Sequence, residues 1–301
     1  MKTNYTHQDM QRFLEKRMDI MPDCIESLVE GETSQVVSFV RSDGQKLVLR
    51  IRGRQKDLLA DKYAYEQFGG SVPIPEFLEV GRFASDAYYC ITVFTDGVTA
   101  KSLLPEELAD VLPIIQNVLA KIYTMDVTST LGYGYIDIET ANAPDSSWKS
   151  SLIHERDLLG LDELRHHAQN IGLLDTTIDR LNGQFETNLP YVSEIRRLLH
   201  GDPGHDNLLI LEGKINAVID WEQMAYGDWA RDFSRFESGG HAYYGDITEF
   251  GTKYGLETEN MRERTSVYSA IRMMRDIEFA GSQKNERVAA WVRDRIKKRI
   301  V

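Results

Sequence analysis

Cysteine is nearly absent from this chain: two in 301 residues, Cys24 and Cys90, far apart and each within an apolar stretch. That excludes a disulfide framework and a thiolate zinc site, and points to two buried thiols in a reducing cytoplasm. Long apolar runs are missing too, so no bilayer-crossing segment is expected. Residues 1–18 are polar and amphipathic, without the apolar core of a signal peptide. Basic residues are in deficit, 35 Lys and Arg against 47 Asp and Glu, a net charge of −12. Nucleic acid is therefore not the expected partner, because phosphate backbones are held by clustered Lys and Arg. An acidic surface suits a cationic partner, since it raises the local cation concentration, although it also serves solubility alone. No Gly-x-x-x-x-Gly-Lys-Ser/Thr loop occurs, and Gly132-Tyr133-Gly134 lacks the third glycine of a dinucleotide fingerprint. His166 and His167 are neighbours, not the i, i+4 pair of a helical metal site.

What is present is an ordinary globular composition, 42% hydrophobic and 27% charged, on a chain longer than one core usually supports. Two domains or one bilobal unit follow from that length. The first hundred residues read as mainly β after a helix near 7–18. Strands are expected at 24–30, 35–41 and 46–52, with a turn at Gly31 to Ser34 and a hairpin at Asp43-Gly44. In the third strand Leu47, Leu49 and Ile51 share one face, and Val48, Arg50 and Arg52 the other. An arginine-bearing face beneath a glycine-containing turn suits phosphate. A helix at 56–68 and strands at 76–82 and 87–94 complete an N-terminal lobe, 1–95.

From 96 to 301 a larger helical lobe is expected. Leu108, Val111, Leu112, Ile115, Val118, Leu119 and Ile122 form a helical stripe, which Pro113 should kink or split. Further helices are expected near 150–168, 174–186, 190–199, 229–238, 260–280 and 286–299. One hairpin, 208–211 with 215–220, interrupts them. The fold class is α+β, a β-rich lobe, a short hinge and a helical lobe.

The segment His-Gly-Asp-Pro-Gly-His-Asp-Asn at 200–207, followed by the hairpin and Ile219-Asp220-Trp221, carries the chemistry. Phosphoryl transfer needs a positioned hydroxyl, a group for its proton, and metal ions neutralising the phosphates. Asp202, Asn207 and Asp220 supply such a set, with oxygen donors of the hard type Mg²⁺ prefers.

In these residues and their order the sequence resembles the aminoglycoside phosphotransferase family, relatives of protein kinases with a bilobal, protein-kinase-like fold. The resemblance implies Asp202 as catalytic base or hydroxyl-orienting group, Asn207 and Asp220 as Mg²⁺ ligands, and His200 as a brace for the loop. Trp221-Glu222, Gly227-Asp228 and Arg231-Asp232-Phe233 match the stretch that follows, where Asp232 is structural. Arg50 stands where kinases carry a phosphate-gripping lysine, with Arg52 its rival; Asp61, then Glu66, is the matching acid on the next helix. Amides near Thr33-Ser34 would hold a phosphate oxygen, and residues 93–95, with Phe94 and Thr95, would read the base of ATP or GTP. Gly201, where regulated kinases carry arginine, implies a constitutively active enzyme. The implied acceptor is a cationic aminoglycoside, with Asp206, Glu222, Glu237 and Asp246 as acids able to face it, and a cytoplasmic monomer is expected. A housekeeping sugar or amino-alcohol kinase and a non-catalytic nucleotide-binding relative stay open beside it.

Overall fold

The structure, a computed structural model, describes residues 3–18, 20, 25–28, 34–237, 244–283 and 285–299, with backbone alone at 235–237 and 299. Residues 31–33 of the turn expected at Gly31 to Ser34, Cys24 and the side chain of Glu237 lie outside the described residues. Contacts divide the chain into two units, residues 1–121 with 203–223, and residues 122–202 with 224–301.

The first unit opens with helix α1 (His7–Arg17), started by a capping box between Thr6 and Asp9. Strands β1 (Glu26–Ser27), β2 (Gln35–Val40) and β3 (Lys46–Arg52) follow, then α2 (Gln55–Phe68), β4 (Phe77–Ala84) and β5 (Ala87–Val93). They form an antiparallel sheet in the order β1-β2-β3-β5-β4, so β3 is central. Its alternation comes out as the sequence suggests: Leu47, Leu49 and Ile51 are fully buried in one cluster with Met10 and Leu14 of α1. Each such side chain contributes about 1.5–3 kcal/mol by leaving water. The opposite face is left to Arg50 and Arg52, and register is thereby fixed, because a one-residue slip would bury the arginines among leucines.

After β6 (Val98–Thr99) comes α3 (Pro105–Tyr123), one continuous helix with Pro113 inside it. The expected split does not occur. Pro113 and Ala109, whose carbonyl loses its helical donor, are both solvent-exposed, so the unmade bond leaves no buried polar group unsatisfied.

The second unit begins with β7 (Gly134–Tyr135), α4 (Trp148–Leu159), α5 (Leu161–Asn170) and α6 (Asp175–Asn188), and continues to β8 (Arg197–Leu199). The single helix expected over 150–168 is two, broken at Gly160, whose φ of +62° a helix cannot contain. The helix expected at 190–199 is instead a 3₁₀ turn at Leu189–Tyr191 and strand β8. The hairpin β9 (Leu208–Leu211) and β10 (Lys214–Val218) returns to the first unit, where β9 pairs with β6. Then β11 (Ala225–Gly227) lies between β7 and β8, and helices α7 (Ala230–Glu237), α8 (Ile247–Tyr254), α9 (Met261–Gln283) and α10 (Glu286–Arg299) complete the chain. The helices α5, α6, α9 and α10 enclose a core including Leu164, Ile178, Leu181, Met274, Ile277 and Val292. Among the described residues no helix is long and apolar enough to cross a membrane.

Candidate active site

In the first unit two arginines on one face of β3 meet four carboxylates. Arg50 forms an ion pair with Asp61 of α2, and its Nη1 lies 3.5 Å from Asp220 Oδ1. Arg52 pairs with Glu222 and stands 3.6 Å from both Asp57 Oδ2 and Asp220 Oδ1. Burial pulls the Arg52 pKa down from the ordinary guanidinium range, and Asp220 beside it pulls the other way. Exposed Arg54 also lies 3.7 Å from Asp57 Oδ1, so three cations stand against four anions, and the surplus negative charge suits a further cation.

The turn bearing Asp220 is fixed from several sides. Asp61 Oδ1 accepts the Trp221 backbone N–H at 2.9 Å, so the Arg50–Asp61 pair and this turn are one assembly. The Trp221 ring is buried beside Phe68, with its Nε1–H donating to the Val218 carbonyl at 3.1 Å. Asp220 itself has φ +67°, a left-handed backbone that costs a non-glycine residue about 1–3 kcal/mol and is retained only where the surroundings impose it. The Ile219 N–H donates to the Asn207 carbonyl at 3.0 Å, which ties the two candidate metal-binding residues together. Asn207 closes a 3₁₀ turn, His205–Asn207, with its own N–H on the Gly204 carbonyl at 2.8 Å.

An amide oxygen from Asn207 and a carboxylate from Asp220 suit Mg²⁺, which accepts few protein ligands and takes the rest from phosphate and water. Among the described residues no group of three or more His, Cys, Asp or Glu is placed to hold a metal ion. Ser34 is buried just before β2. Phe94 follows β5, its N–H donating to the Lys46 carbonyl at 3.1 Å and its ring lying 4.2 Å from the Lys46 ammonium. Thr95 is half-buried beside it.

In the second unit β8 delivers His200, fully buried, and then Gly201 and half-buried Asp202. Gly201 has φ +85°, which turns the chain directly before Asp202. The Asp202 N–H donates to His200 Nδ1 at 3.2 Å, so Nδ1 carries no proton and the imidazole acts as a brace. The Asp232 carboxylate accepts both the His200 N–H at 2.8 Å and the Gly201 N–H at 3.0 Å. Further down, Asp228 and Arg264 form a fully buried pair joined by the Tyr268 hydroxyl, which in turn accepts from Trp148 Nε1 at 2.9 Å.

Other expected positions fall as follows. Asp61, not Glu66, meets Arg50; Glu66 is exposed and pairs with Lys62. Glu222 is engaged by Arg52, and exposed Asp206 pairs with Lys101 at 3.4 Å. Asp246 caps α8, accepting the N–H groups of Thr248 and Glu249. Two participants went unread in the sequence, Asp57 and Arg264. Asp57 lies four residues before Asp61, on the same helical face, a spacing that pointed to it; Arg264 carried no local signal.

These features define an enzyme class. The sequence matches the profile of the phosphotransferase enzyme family over residues 25–248, and the chain belongs to that family. Hygromycin-B 4-O-kinase of Escherichia coli is 30% identical over 232 residues, 75% of this chain and 65% of that protein. The aligned stretch thus spans just under two thirds of that relative's length. The crystal structure of aminoglycoside phosphotransferase APH(4)-Ia superposes with a TM-score of 0.82 at 25% identity, covering 97% of this chain and 98% of that one. A thermostable mutant of that enzyme, in ternary complex with AMP-PNP and hygromycin B, gives 0.80 at 25% identity and 96% coverage of each chain. The fold is therefore that of the kinase-like aminoglycoside phosphotransferases, with its β-sheet region first and its helical part second.

Proposed function

We propose that the chain transfers the γ-phosphoryl group of ATP or GTP to a hydroxyl of an aminoglycoside, hygromycin B with its 4-hydroxyl being the first choice. The observation that carries this reading is the assembly of Arg50, Asp61, Trp221, Asp220 and Asn207, linked by an ion pair and two backbone hydrogen bonds. Likeness to the hygromycin-B kinase and to the antibiotic-bound APH(4)-Ia mutant supports the acceptor.

In this mechanism Asp202 orients the acceptor hydroxyl and takes its proton as the oxygen bonds to the γ-phosphorus and the bond to the β-phosphate oxygen breaks. Asn207 and Asp220 would hold Mg²⁺, which neutralises charge on the β- and γ-phosphates. Arg50 supplies a fixed cation to the phosphates, its direction set by Asp61. Backbone at Phe94 and Thr95 reads the base, and amides near Ser34 touch a phosphate oxygen. Asp206, Glu222 and Glu237 are the acids offered to the polyammonium acceptor; Glu222 would have to exchange Arg52 for that role.

The test incubates the purified chain with nucleotide, Mg²⁺ and a panel of aminoglycosides, sugars and amino alcohols, followed by mass spectrometry. A gain of about 80 Da, one phosphoryl group, on hygromycin B supports the reading. A gain on a sugar or amino alcohol alone moves it to a housekeeping kinase, and nucleotide binding without turnover makes it a non-catalytic relative. Asp202→Ala should lower kcat by orders of magnitude with little change in nucleotide affinity, and unchanged turnover would remove Asp202 from its role. Size-exclusion chromatography checks the expected monomer.

A further inference from the structure

The second unit contains a cavity of about 30 Å³ walled by Glu155, Gly201, Tyr268 and three arginines, Arg231, Arg272 and Arg275. It is distinct from the carboxylate cluster of the first unit, and its charge has the opposite sign. Each guanidinium offers five N–H donors and no acceptor. Among the described residues one carboxylate stands on the wall against them. Glu155 accepts from Arg231 at 2.8 Å and from Arg275 at 2.7 Å, and Arg231 also reaches the Tyr135 hydroxyl at 3.1 Å. Arg272 lies 3.0 Å from Asp276, outside the wall, and its buried Nε makes no hydrogen bond of proper geometry. Tyr268 has no acceptor capacity to add, because its hydroxyl is engaged by Asp228 and Trp148. Ser234, also on the wall, donates its hydroxyl to the Arg231 carbonyl at 3.0 Å, and the guanidinium donors still outnumber the acceptors around this partly open space.

We propose that this cavity binds a small tetrahedral oxyanion, inorganic phosphate being the biological one. The space holds roughly two or three water-sized groups, which admits one such ion and excludes a nucleotide or a sugar ring. Guanidinium forks match the oxygens of phosphate in pairs. A polyammonium acceptor is repelled from three arginines, so this is no aminoglycoside subsite. The cavity touches Gly201, next in the chain to Asp202, and Arg231 is next to Asp232, which holds the His200 and Gly201 amides. Occupancy therefore bears on the segment that positions Asp202.

The inference does not rest on the proposed transfer reaction, since binding is read without turnover. The full chain is titrated with sodium phosphate against sodium chloride of matched ionic strength, by calorimetry and by thermal unfolding. One saturable site and a rise in Tm of about 2–5 °C near a concentration of about 10 mM are expected. Arg272→Gln should weaken binding at least about tenfold, while Asp276 keeps Arg295 at 2.7 Å, so the variant should fold. Should it not fold, Arg275→Lys, which keeps charge but loses the fork, makes the same comparison. The competing place for phosphate is that of a nucleotide phosphate beside Arg50, and Arg50→Gln separates the two. Binding that survives in Arg50→Gln and weakens in Arg272→Gln supports the cavity. Loss in Arg50→Gln with retention in Arg272→Gln overturns it, as does the absence of any saturable phosphate binding.

Discussion

Asp228 and Arg264 face each other in a two-point ion pair, Nε to Oδ2 at 2.7 Å and Nη2 to Oδ1 at 2.6 Å, with neither side chain exposed to solvent. The remaining guanidinium nitrogen, Nη1, donates to the carbonyls of Glu257 and Glu259. Asp228 directly follows β11, the strand that pairs with β8, and β8 leads into His200 and Asp202. This pair thus holds the end of the strand that pairs with β8, which leads into the proposed base.

Removing one partner leaves a buried, unpaired charge. Arg264→Met should therefore destabilise the protein by about 3–5 kcal/mol in urea unfolding, whereas replacing both residues with apolar ones of similar volume should cost less. If the single and double variants lose the same stability, the pair is not what holds Asp228 in place.

Asp232 makes a prediction about rate instead. Its two oxygens hold consecutive amides, those of His200 and Gly201. In Asp232→Asn one acceptor becomes a donor that opposes an N–H, and the loop carrying Asp202 should shift. A displacement near 1 Å costs about a hundredfold in rate. The expected pattern is a fall in kcat of about that size with nucleotide KM little changed. A variant that loses nucleotide affinity and keeps kcat would place Asp232's influence elsewhere.

Arg50 tests the phosphate grip. Arg50→Lys keeps the charge near Asp61 and Asp220 but gives up the planar fork, and should raise nucleotide KM about tenfold. Arg52→Lys should act differently, because Arg52 is engaged by Glu222 and Asp57 and is almost fully buried. Its signature is a higher Mg²⁺ requirement through a less well-held Asp220. Steady-state kinetics across nucleotide and Mg²⁺ concentrations distinguish these, and identical profiles for the two variants would contradict separate roles.

Much of this was legible in the chain itself, for local reasons. The alternation in β3 separates Leu47, Leu49 and Ile51 from Arg50 and Arg52 without any knowledge of partners, and the Asp43-Gly44 turn announces the hairpin. Residues 190–199 were not legible. Val192, Ile195, Leu198 and Leu199 have helical spacing, yet β8 is drawn into a sheet by β11, nearly thirty residues later, and no local pattern reveals that partner. Arg264 escaped for the same reason: a buried arginine on a long helix looks like a solvated one until its distant aspartate is known. The carboxylates offered to a cationic acceptor show the converse. Glu222 and Asp206 are identifiable as acids, but which cation each faces, Arg52 and Lys101 here, is a property of the fold.

Cys90 connects the β3 arginines to pH. It sits across from Arg50 on β5 and is buried, so desolvation raises its thiol pKa, and the Arg50 charge opposes this without reversing it. A thiol whose folded pKa exceeds its unfolded value holds its proton more tightly in the folded state. Its contribution to stability is therefore complete below the unfolded value, about 8.5, and is lost as pH rises through the higher folded value. In a Cys24→Ser background, urea unfolding should show stability declining above about pH 8.5 more steeply than in the same background carrying Cys90→Ala. Thiol-reactive reagents at neutral pH should modify folded Cys90 far more slowly than the unfolded chain, because the reactive thiolate is scarce and screened. Rapid modification of the folded protein, or parallel pH profiles for the two variants, would show that Cys90 is not held buried beside Arg50.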